Sequence, residues 1–213
     1  MELLRRVMRI GWVHYKVSQF FAWFLFVFFF SFRCFGRKRI PKKGGVIIAC
    51  SHQSYMDPIV IGFSCPRPVR YLARSSLFGN KLFAALIRSY GAFELERGEA
   101  DVAAIRKCTE FLRKGEPVLL FPEGTRTTDG EIGPLLPGLF LISRRARVPI
   151  VPAVIEGMFE AYPRGRLFPR PHPVRIFYGE PRYPGGKETD YRREAELLRQ
   201  ELKSLQKRIR MVK

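Results

Sequence analysis

Residues 46–60, VIIACSHQSYMDPIV, join an apolar run to a polar turn and then to a helix start. The run VIIAC is short and bounded by turn residues, which is typical of a buried strand. Asp57 followed by Pro58 is typical of the first turn of a helix. This order of strand, turn and helix predicts an α/β fold. The turn itself, which holds His52, predicts either a plain helix cap or an activated histidine.

The chain after this stretch alternates strand-like and helical segments. Short apolar runs recur, and between them apolar residues recur at helical spacing. This alternation predicts a largely parallel central sheet that is flanked by helices on both faces. The predicted strands are 46–50, 69–73, 92–96, 118–121, 149–155 and 174–179, and the helical stripes lie within 78–87 and 102–112.

The last part of the sequence has the pattern of one long helix. Its apolar residues recur in steps of four and three and form a single seam. The seam predicts a helix that docks on the domain or pairs with a partner chain. A helix on a membrane surface is the alternative, because the other positions are rich in Lys and Arg. The seam consists of Tyr191, Ala195, Leu198, Leu202, Leu205 and Ile209.

The charge of the chain restricts its partners. It has 38 Lys and Arg against 19 Asp and Glu, a formal net charge of +19. Such an excess implies an anionic partner: nucleic acid, an anionic membrane surface, or a phosphorylated or carboxylated substrate. A nucleic-acid-binding protein is an alternative on charge alone, although the sequence has no zinc-finger or RNP-type signature. The cysteines are scattered, which argues against zinc and disulfides and fits a reducing compartment.

The first 40 residues have the composition of a membrane anchor. Residues 20–32, FFAWFLFVFFFSF, are almost purely apolar. Extended to about 16 residues as a helix, the run reaches about 24 Å, short of a hydrocarbon core of about 30 Å. Residues 1–16 form a basic amphipathic pattern of the membrane-surface kind. We therefore expect a membrane-anchoring hairpin of two helices in residues 1–40, at the cytoplasmic face of the inner membrane, and an α/β domain in 41–213. A hairpin packed in a soluble core is the alternative.

His52 stands where active sites are built in parallel sheets, at the carboxyl end of a strand. Asp57 follows five positions later, close enough for its carboxylate to accept a proton from one ring nitrogen. Such a contact fixes the tautomer, and the other nitrogen can then remove a proton from a hydroxyl.

The stretch FPEGTRT, residues 121–127, follows another predicted strand. Pro122 and Gly124 favour a tight turn whose backbone amides can face a ligand. Arg126 offers a planar fork of donors that suits phosphate. Glu123 can orient that arginine or bind a hydroxyl group. An ordinary turn with a surface ion pair is the alternative for this stretch alone.

GAFELER, residues 91–97, ends in a second arginine. If its strand lies in the same sheet, Arg97 reaches the same edge as Arg126. The two guanidinium groups then form a clamp for a dianion. Without the other stretches, Arg97 reads as a solvated charge.

In this order, SHQSYMD, GAFELER, FPEGTRT and VPIVPAV resemble the sequence blocks of the glycerolipid acyltransferases, most closely the lysophosphatidate (1-acylglycerol-3-phosphate) acyltransferases. The resemblance covers residues 40–160, and the hydrophobic N-terminal segment is similar to that family's membrane anchor. It implies acyl transfer from a thioester, either acyl-CoA or acyl-carrier protein, to the free hydroxyl of lysophosphatidate in a membrane. It implies no further cofactor and no metal.

The resemblance also implies roles for individual residues. His52 matches the general base, and Asp57 matches the carboxylate that orients it. No serine nucleophile is placed and none is needed, because a thioester is already activated. Amides near Gly124 and Thr125 are candidate donors to the tetrahedral oxyanion, and Pro152 shapes a wall of the site. The positions that match glycerol phosphate binding are Arg97, Glu123, Gly124 and Arg126.

One position departs from the family's pattern. Leu136, in PLLPG, stands where the family often carries a lysine. Loss of that cation weakens the phosphate clamp. A different lysolipid or lipid hydroxyl or amine as acceptor, or compensation by Arg144 or Arg145, would accommodate it. A non-catalytic membrane scaffold with the same fold is a further alternative, which the presence of both His52 and Asp57 disfavours.

Overall fold

The structure, a computed structural model, describes residues 2–95, 100–186 and 190–212. Within these residues, seven strands form one sheet and seven α-helices surround it. The strands are β1 (Arg33–Phe35), β2 (Val46–Cys50), β3 (Arg70–Arg74), β4 (Ala92–Leu95), β5 (Pro117–Leu120), β6 (Ile150–Glu156) and β7 (Arg175–Tyr178). The helices are α1 (Glu2–Phe30), α2 (Asp57–Ser64), α3 (Lys81–Ser89), α4 (Ala100–Arg113), α5 (Gly138–Ala146), α6 (Met158–Ala161) and α7 (Tyr191–Met211).

The sheet is largely parallel, as the sequence predicts. Its strand order is β1-β7-β6-β2-β5-β3-β4. The run from β6 to β4 is parallel throughout, whereas β7 is antiparallel to β6 and β1 is parallel to β7. All six predicted strands are present, and each observed end differs from the predicted end by at most one residue. β1 was not predicted, because three residues carry too little pattern to be recognised as a strand.

Helices cover both faces of the sheet, which confirms the predicted fold class. All five residues of β2 are buried, and alternate ones face opposite sides. Ile48 packs in a core with α1, α2 and α6. Ile47 packs in a second core with α4, α5 and α7. A strand buried on both faces explains why VIIAC is continuously apolar.

The N-terminal segment corrects the prediction of a two-helix hairpin, because Glu2–Phe30 is one continuous helix. Two separate helices require a break, and this segment contains no proline. Its single internal glycine, Gly11, weakens a helix without ending it. The helix stops at Phe30, where Ser31 adopts a left-handed conformation with φ of 45°.

Between residues 15 and 30, one side of α1 packs against the domain and much of the rest is exposed. Phe26 and Phe30 are buried in the core, and the Tyr15 hydroxyl donates to the carbonyl of Gly62 at 3.1 Å. The segment also supplies β1 to the sheet. In this part of α1, the exposed large side chains are Val17, Phe20, Phe21, Trp23, Phe24, Leu25, Phe28 and Phe29.

Within the residues that the structure describes, no helix combines the length and the apolar character needed to cross a membrane.

The C-terminal helix docks on the domain, which was the first of the readings predicted for its seam. Asp190 caps α7 by accepting hydrogen bonds from the amides of Arg192 and Arg193. The seam packs in the second core, against β6 and α5. Its buried members are Ala195, Leu198, Leu202, Leu205 and Ile209.

Candidate active site

The candidate site lies where β2 and β5 end side by side. The two strands are parallel neighbours, with Ala49 opposite Leu120. The chain leaves β2 towards α2 on one face of the sheet and leaves β5 towards α5 on the other. Adjacent strands with diverging connections open a crevice at their carboxyl ends, where ligands bind in open α/β sheets. The loops 51–56 and 121–127 line this crevice.

His52 and Asp57 are in direct contact across their loop. Nδ1 of His52 lies 2.8 Å from Oδ2 of Asp57. The carboxyl group is fully buried, whereas 18% of the histidine side chain is exposed. A buried acid behind a partly exposed imidazole is the arrangement in which the acid holds the ring and the ring meets the substrate.

The backbone also holds the carboxyl group of Asp57. Oδ2 accepts hydrogen bonds from the amides of Gln53 and Ser54 at 2.7 and 2.8 Å. Asp57 is the first residue of α2, but its side chain bonds to amides of the preceding loop and does not cap the helix. Burial raises the pKa of Asp57 above its usual value, although the hydrogen bond from His52 acts in the opposite direction.

Glu123 bonds its own loop to two other segments of backbone. Its Oε1 accepts the amide of His52 at 2.9 Å, and its Oε2 accepts the amide of Gly133 at 3.0 Å. Burial raises the pKa of this carboxyl group. The sequence predicted that Glu123 would orient Arg126 or bind a hydroxyl, but the contacts that it makes are with backbone amides. Glu123 therefore fixes the position of the histidine.

Two further contacts connect the loop 51–56 to the loop 121–127. The ring of His52 stacks on that of Phe121, with centroids 3.8 Å apart and planes inclined by 15°. The amide of Thr127 donates to the carbonyl of His52 at 2.8 Å. The histidine is thus held from its ring, its amide and its carbonyl, which limits the rotamers that it can adopt.

Arg126 is buried under an exposed aromatic ring. Its guanidinium carbon lies 3.4 Å from the centroid of the Tyr55 ring. Its NH1 is buried and has no hydrogen-bond partner among the described residues. A buried donor without an acceptor is costly, and an anionic ligand would satisfy it.

The remaining residues of the 121–127 loop are placed differently from one another. Gly124 has φ of 70°, and a side chain there would meet Leu136. Its amide donates to the carbonyl of Phe121 at 3.0 Å, so this amide is engaged in the turn. This contradicts the expectation that the Gly124 amide is open to an oxyanion. Thr125 and Leu136 are exposed.

Three other predicted residues lie away from the histidine or outside the described chain. Pro152 is buried within β6, opposite Ala49, and its carbonyl accepts the amide of Gly179 at 2.7 Å. It lies deeper in the sheet than His52. Arg144 packs its guanidinium over the ring of Tyr191. Arg97 lies outside the residues that the structure describes.

Sequence reasoning missed the two aromatic residues of the site. Tyr55 and Phe121 both lie inside the stretches singled out for their polar residues. Their role as ring partners depends on contacts between separate loops. The signal available in the sequence was an aromatic residue next to each charged motif, which alone indicates no contact.

A buried acid behind a partly exposed imidazole, at the strand ends of a parallel α/β sheet, is an arrangement that can serve as an enzyme active site. Comparison with known proteins gives the family. The family model described as Acyltransferase matches residues 31–156, and the chain belongs to this family. It is therefore an acyltransferase.

Individual relatives carry a more specific name. The chain is 29% identical over 153 residues to the 1-acyl-sn-glycerol-3-phosphate acyltransferase of Bacillus subtilis, an alignment of 70% of this chain and 72% of the relative. It is 24% identical over 155 residues to the chloroplastic enzyme LPAT1 of Arabidopsis thaliana, covering 71% of this chain and 43% of that protein. The chain thus spans less than half of the chloroplastic relative.

A solved structure agrees. The 1-acyl-sn-glycerophosphate (LPA) acyltransferase PlsC from Thermotoga maritima superposes with a TM-score of 0.77 at 26% identity. The match covers 90% of this chain and 79% of that one. The fold therefore matches along nearly the whole chain, and the family model matches residues 31–156 within it.

Proposed function

We propose that the protein moves a fatty acyl group from acyl-CoA or acyl-carrier protein to the free hydroxyl of lysophosphatidate, which gives phosphatidate. The names of its relatives supply the substrate class. The observation that carries the proposal is the 2.8 Å contact between Nδ1 of His52 and buried Asp57. Through that contact His52 can act as the base for direct attack of the acceptor hydroxyl on the thioester, so the reaction needs no serine nucleophile.

The chemistry follows from this contact. The carboxylate of Asp57 accepts a hydrogen bond from the N–H at Nδ1, so Nε2 is unprotonated and can act as the proton acceptor. Nε2 takes the proton of the acceptor hydroxyl as its oxygen attacks the thioester carbonyl. A C–O bond forms, the tetrahedral intermediate collapses and the C–S bond breaks. The leaving thiolate then takes the proton from the imidazolium, so protons and charges balance.

Arg126 supplies the anion site in this proposal. Its NH1 group is buried without a hydrogen-bond partner, which costs free energy. A phosphate oxygen that accepts a hydrogen bond from NH1 would remove this cost. The stack on Tyr55 keeps the planar guanidinium in one orientation. Through Glu123 and Thr127 the same loop is bonded to the backbone of His52. Binding of the phosphate and placement of the hydroxyl are thereby coupled, and Arg97 is proposed as the second cation.

The exposed aromatic side of α1 is proposed to attach the protein to the membrane that contains its acceptor. Phe21 and Phe28 are large apolar side chains left in contact with solvent. A contiguous exposed apolar patch of this kind marks an interaction surface. Together with the positive charge of the chain, it favours the anionic, cytoplasmic face of the inner membrane.

A second acceptor class is favoured by one observation. Leu136, where similar enzymes often carry a lysine, is exposed beside Gly124. An apolar side chain there suits an acceptor with less charge on its headgroup. The candidates are zwitterionic or neutral lysolipids.

Thiol release tests the mechanism and an acceptor screen tests the substrate. Purified protein is incubated with acyl-CoA and either lysophosphatidate, a zwitterionic lysolipid or a neutral one. We expect the wild-type protein to release thiol with lysophosphatidate. We expect no thiol release from His52→Ala, although its circular dichroism spectrum should match that of wild type. Full activity of a folded His52→Ala enzyme would exclude the general base. A preference for a neutral acceptor would replace lysophosphatidate while leaving the mechanism intact.

A further inference from the structure

Residues 162–173, YPRGRLFPRPHP, form a loop that we call the basic loop. It contains three arginines, Arg164, Arg166 and Arg170, and no acidic residue. Leu167 and Phe168 lie at its centre. The loop joins α6 to β7, and the mechanism proposed above does not use it.

The base of the basic loop is closed by backbone contacts. The amide of Arg170 donates to the carbonyl of Ala161 at 2.9 Å, and its Nε donates to the carbonyl of Glu160 at 2.7 Å. Gly157 lies so close to Pro173 that a side chain there would overlap the Pro173 carbonyl. A loop with close, bonded ends is a compact unit of the Ω type.

This compact loop presents two large apolar side chains to solvent. Leu167 is 78% exposed and Phe168 is 71% exposed. Neighbouring Leu and Phe side chains in water, flanked by arginines, have the composition of a membrane-interface segment. A nucleic-acid contact would instead leave the leucine without a partner.

The two ends of the basic loop place it between the active site and α1. At the first end, the Tyr162 carbonyl accepts the Ser54 hydroxyl at 2.7 Å, and Ser54 also binds Asp57 through its amide. At the second end, the amide of Val174 donates to the carbonyl of Phe30 at 2.8 Å. Phe30 is the last residue of α1, two positions after exposed Phe28.

We propose that the basic loop is a second membrane contact, separate from α1. Leu167 and Phe168 insert at the boundary between headgroups and acyl chains, and the arginines bind the phosphates of an anionic bilayer. Because the loop is bonded to Ser54, this contact holds the mouth of the active site at the lipid surface. The inference extends the membrane attachment proposed for α1 and does not depend on which acceptor is used.

A spin label on the loop distinguishes insertion from attachment through α1 alone. Phe168→Cys is made in the full chain with Cys34→Ser, because the other three cysteines are buried. The matched control is Val102→Cys, an equally exposed position on α4 on the opposite face of the sheet. Both are labelled and bound to vesicles of phosphatidylglycerol and phosphatidylethanolamine. Accessibility to oxygen is compared with accessibility to a water-soluble nickel chelate.

We expect the label at 168 to gain access to oxygen and lose access to nickel on binding, and the label at 102 to stay aqueous. A label at 168 that stays aqueous on vesicle-bound protein would overturn the proposal while leaving attachment through α1 intact. Failure of the whole chain to bind vesicles would overturn both. Protection at 168 that requires an added acidic carrier protein, and not lipid, would assign the loop to a protein partner instead.

The charge contribution has its own measurement. Each arginine near an anionic surface contributes a factor of roughly five to partitioning. Arg164→Ser with Arg166→Ser should therefore weaken binding to anionic vesicles by roughly 25-fold, with little change on phosphatidylcholine. Arg106→Ser with Lys107→Ser, on α4, removes the same charge from the other face and should have a small effect. Equal losses from both pairs would contradict a localised contact.

Discussion

The guanidinium of Arg126 lies 3.4 Å from the centre of the Tyr55 ring, so a buried cation is covered by an exposed aromatic residue. The two residues come from loops that follow different strands. This contact joins the loop of the proposed base to the loop of the proposed phosphate site. It gives a test of positioning that does not touch the reacting atoms.

Replacement of Tyr55 should weaken acceptor binding more than chemistry. Without the ring, the guanidinium is solvated and can leave the anion site. A cation–π contact of about 0.5–2 kcal/mol corresponds to a rise in the acceptor KM of about 2- to 30-fold for Tyr55→Ala. Tyr55→Phe keeps the ring and should behave as wild type. Initial rates against acceptor concentration measure this, and a fall in kcat with unchanged KM would contradict it.

Much of this site could be predicted from the sequence, and the limits have physical causes. β2 and the helix start at Asp57 depend on local pattern, and both were predicted. β1 exists only because it pairs with β7, far along the chain. The bond from Glu123 to the amide of Gly133 is likewise tertiary. Local sequence carries little information about such contacts.

Asp57→Asn separates activity from stability. We expect kcat to fall by about 10²- to 10⁴-fold, because the amide no longer fixes the tautomer of His52. Burial raises the pKa of Asp57, so the ionised carboxylate carries a desolvation cost in the fold that the neutral amide lacks. We therefore expect a Tm equal to or above that of wild type. Steady-state kinetics and calorimetry measure the two quantities, and a large loss of Tm would show that Asp57 acts mainly in folding.

The same shift predicts a pH dependence of stability. With the pKa of Asp57 higher in the folded state than its usual 3.8, the native protein binds this proton more tightly than the unfolded chain. The contribution of Asp57 to the free energy of unfolding should then decrease as pH rises from 3.8 through the folded pKa. Above that pH it should be constant. The difference between wild type and Asp57→Asn in denaturant titrations isolates this contribution, and a difference of opposite slope would contradict the shift.

Glu123→Gln should disturb the position of His52. The carboxylate accepts two backbone amides, one on each oxygen. The glutamine keeps one acceptor, but its NH2 group opposes the other amide. An unsatisfied buried donor costs about 1–3 kcal/mol, so we expect a loss of stability in this range together with a fall in kcat. Glu110→Gln, an exposed substitution, is the control, and a Glu123→Gln enzyme with wild-type stability and activity would show that these bonds are dispensable.

The two sides of α1 should respond oppositely to substitution. Phe21 and Phe28 are exposed, at 64% and 74%, whereas Phe26 packs against Phe63 in the core with ring centroids 4.8 Å apart. Phe21→Ser with Phe28→Ser should release the protein from anionic vesicles in co-sedimentation while leaving Tm nearly unchanged. Phe26→Ala should cost about 3–5 kcal/mol of stability, because it opens a cavity in the core. If the double variant still pelleted fully with vesicles, the exposed side of α1 would not be the membrane contact. If the double variant instead lost as much stability as Phe26→Ala, the exposed side of α1 would be packed against protein and not against lipid.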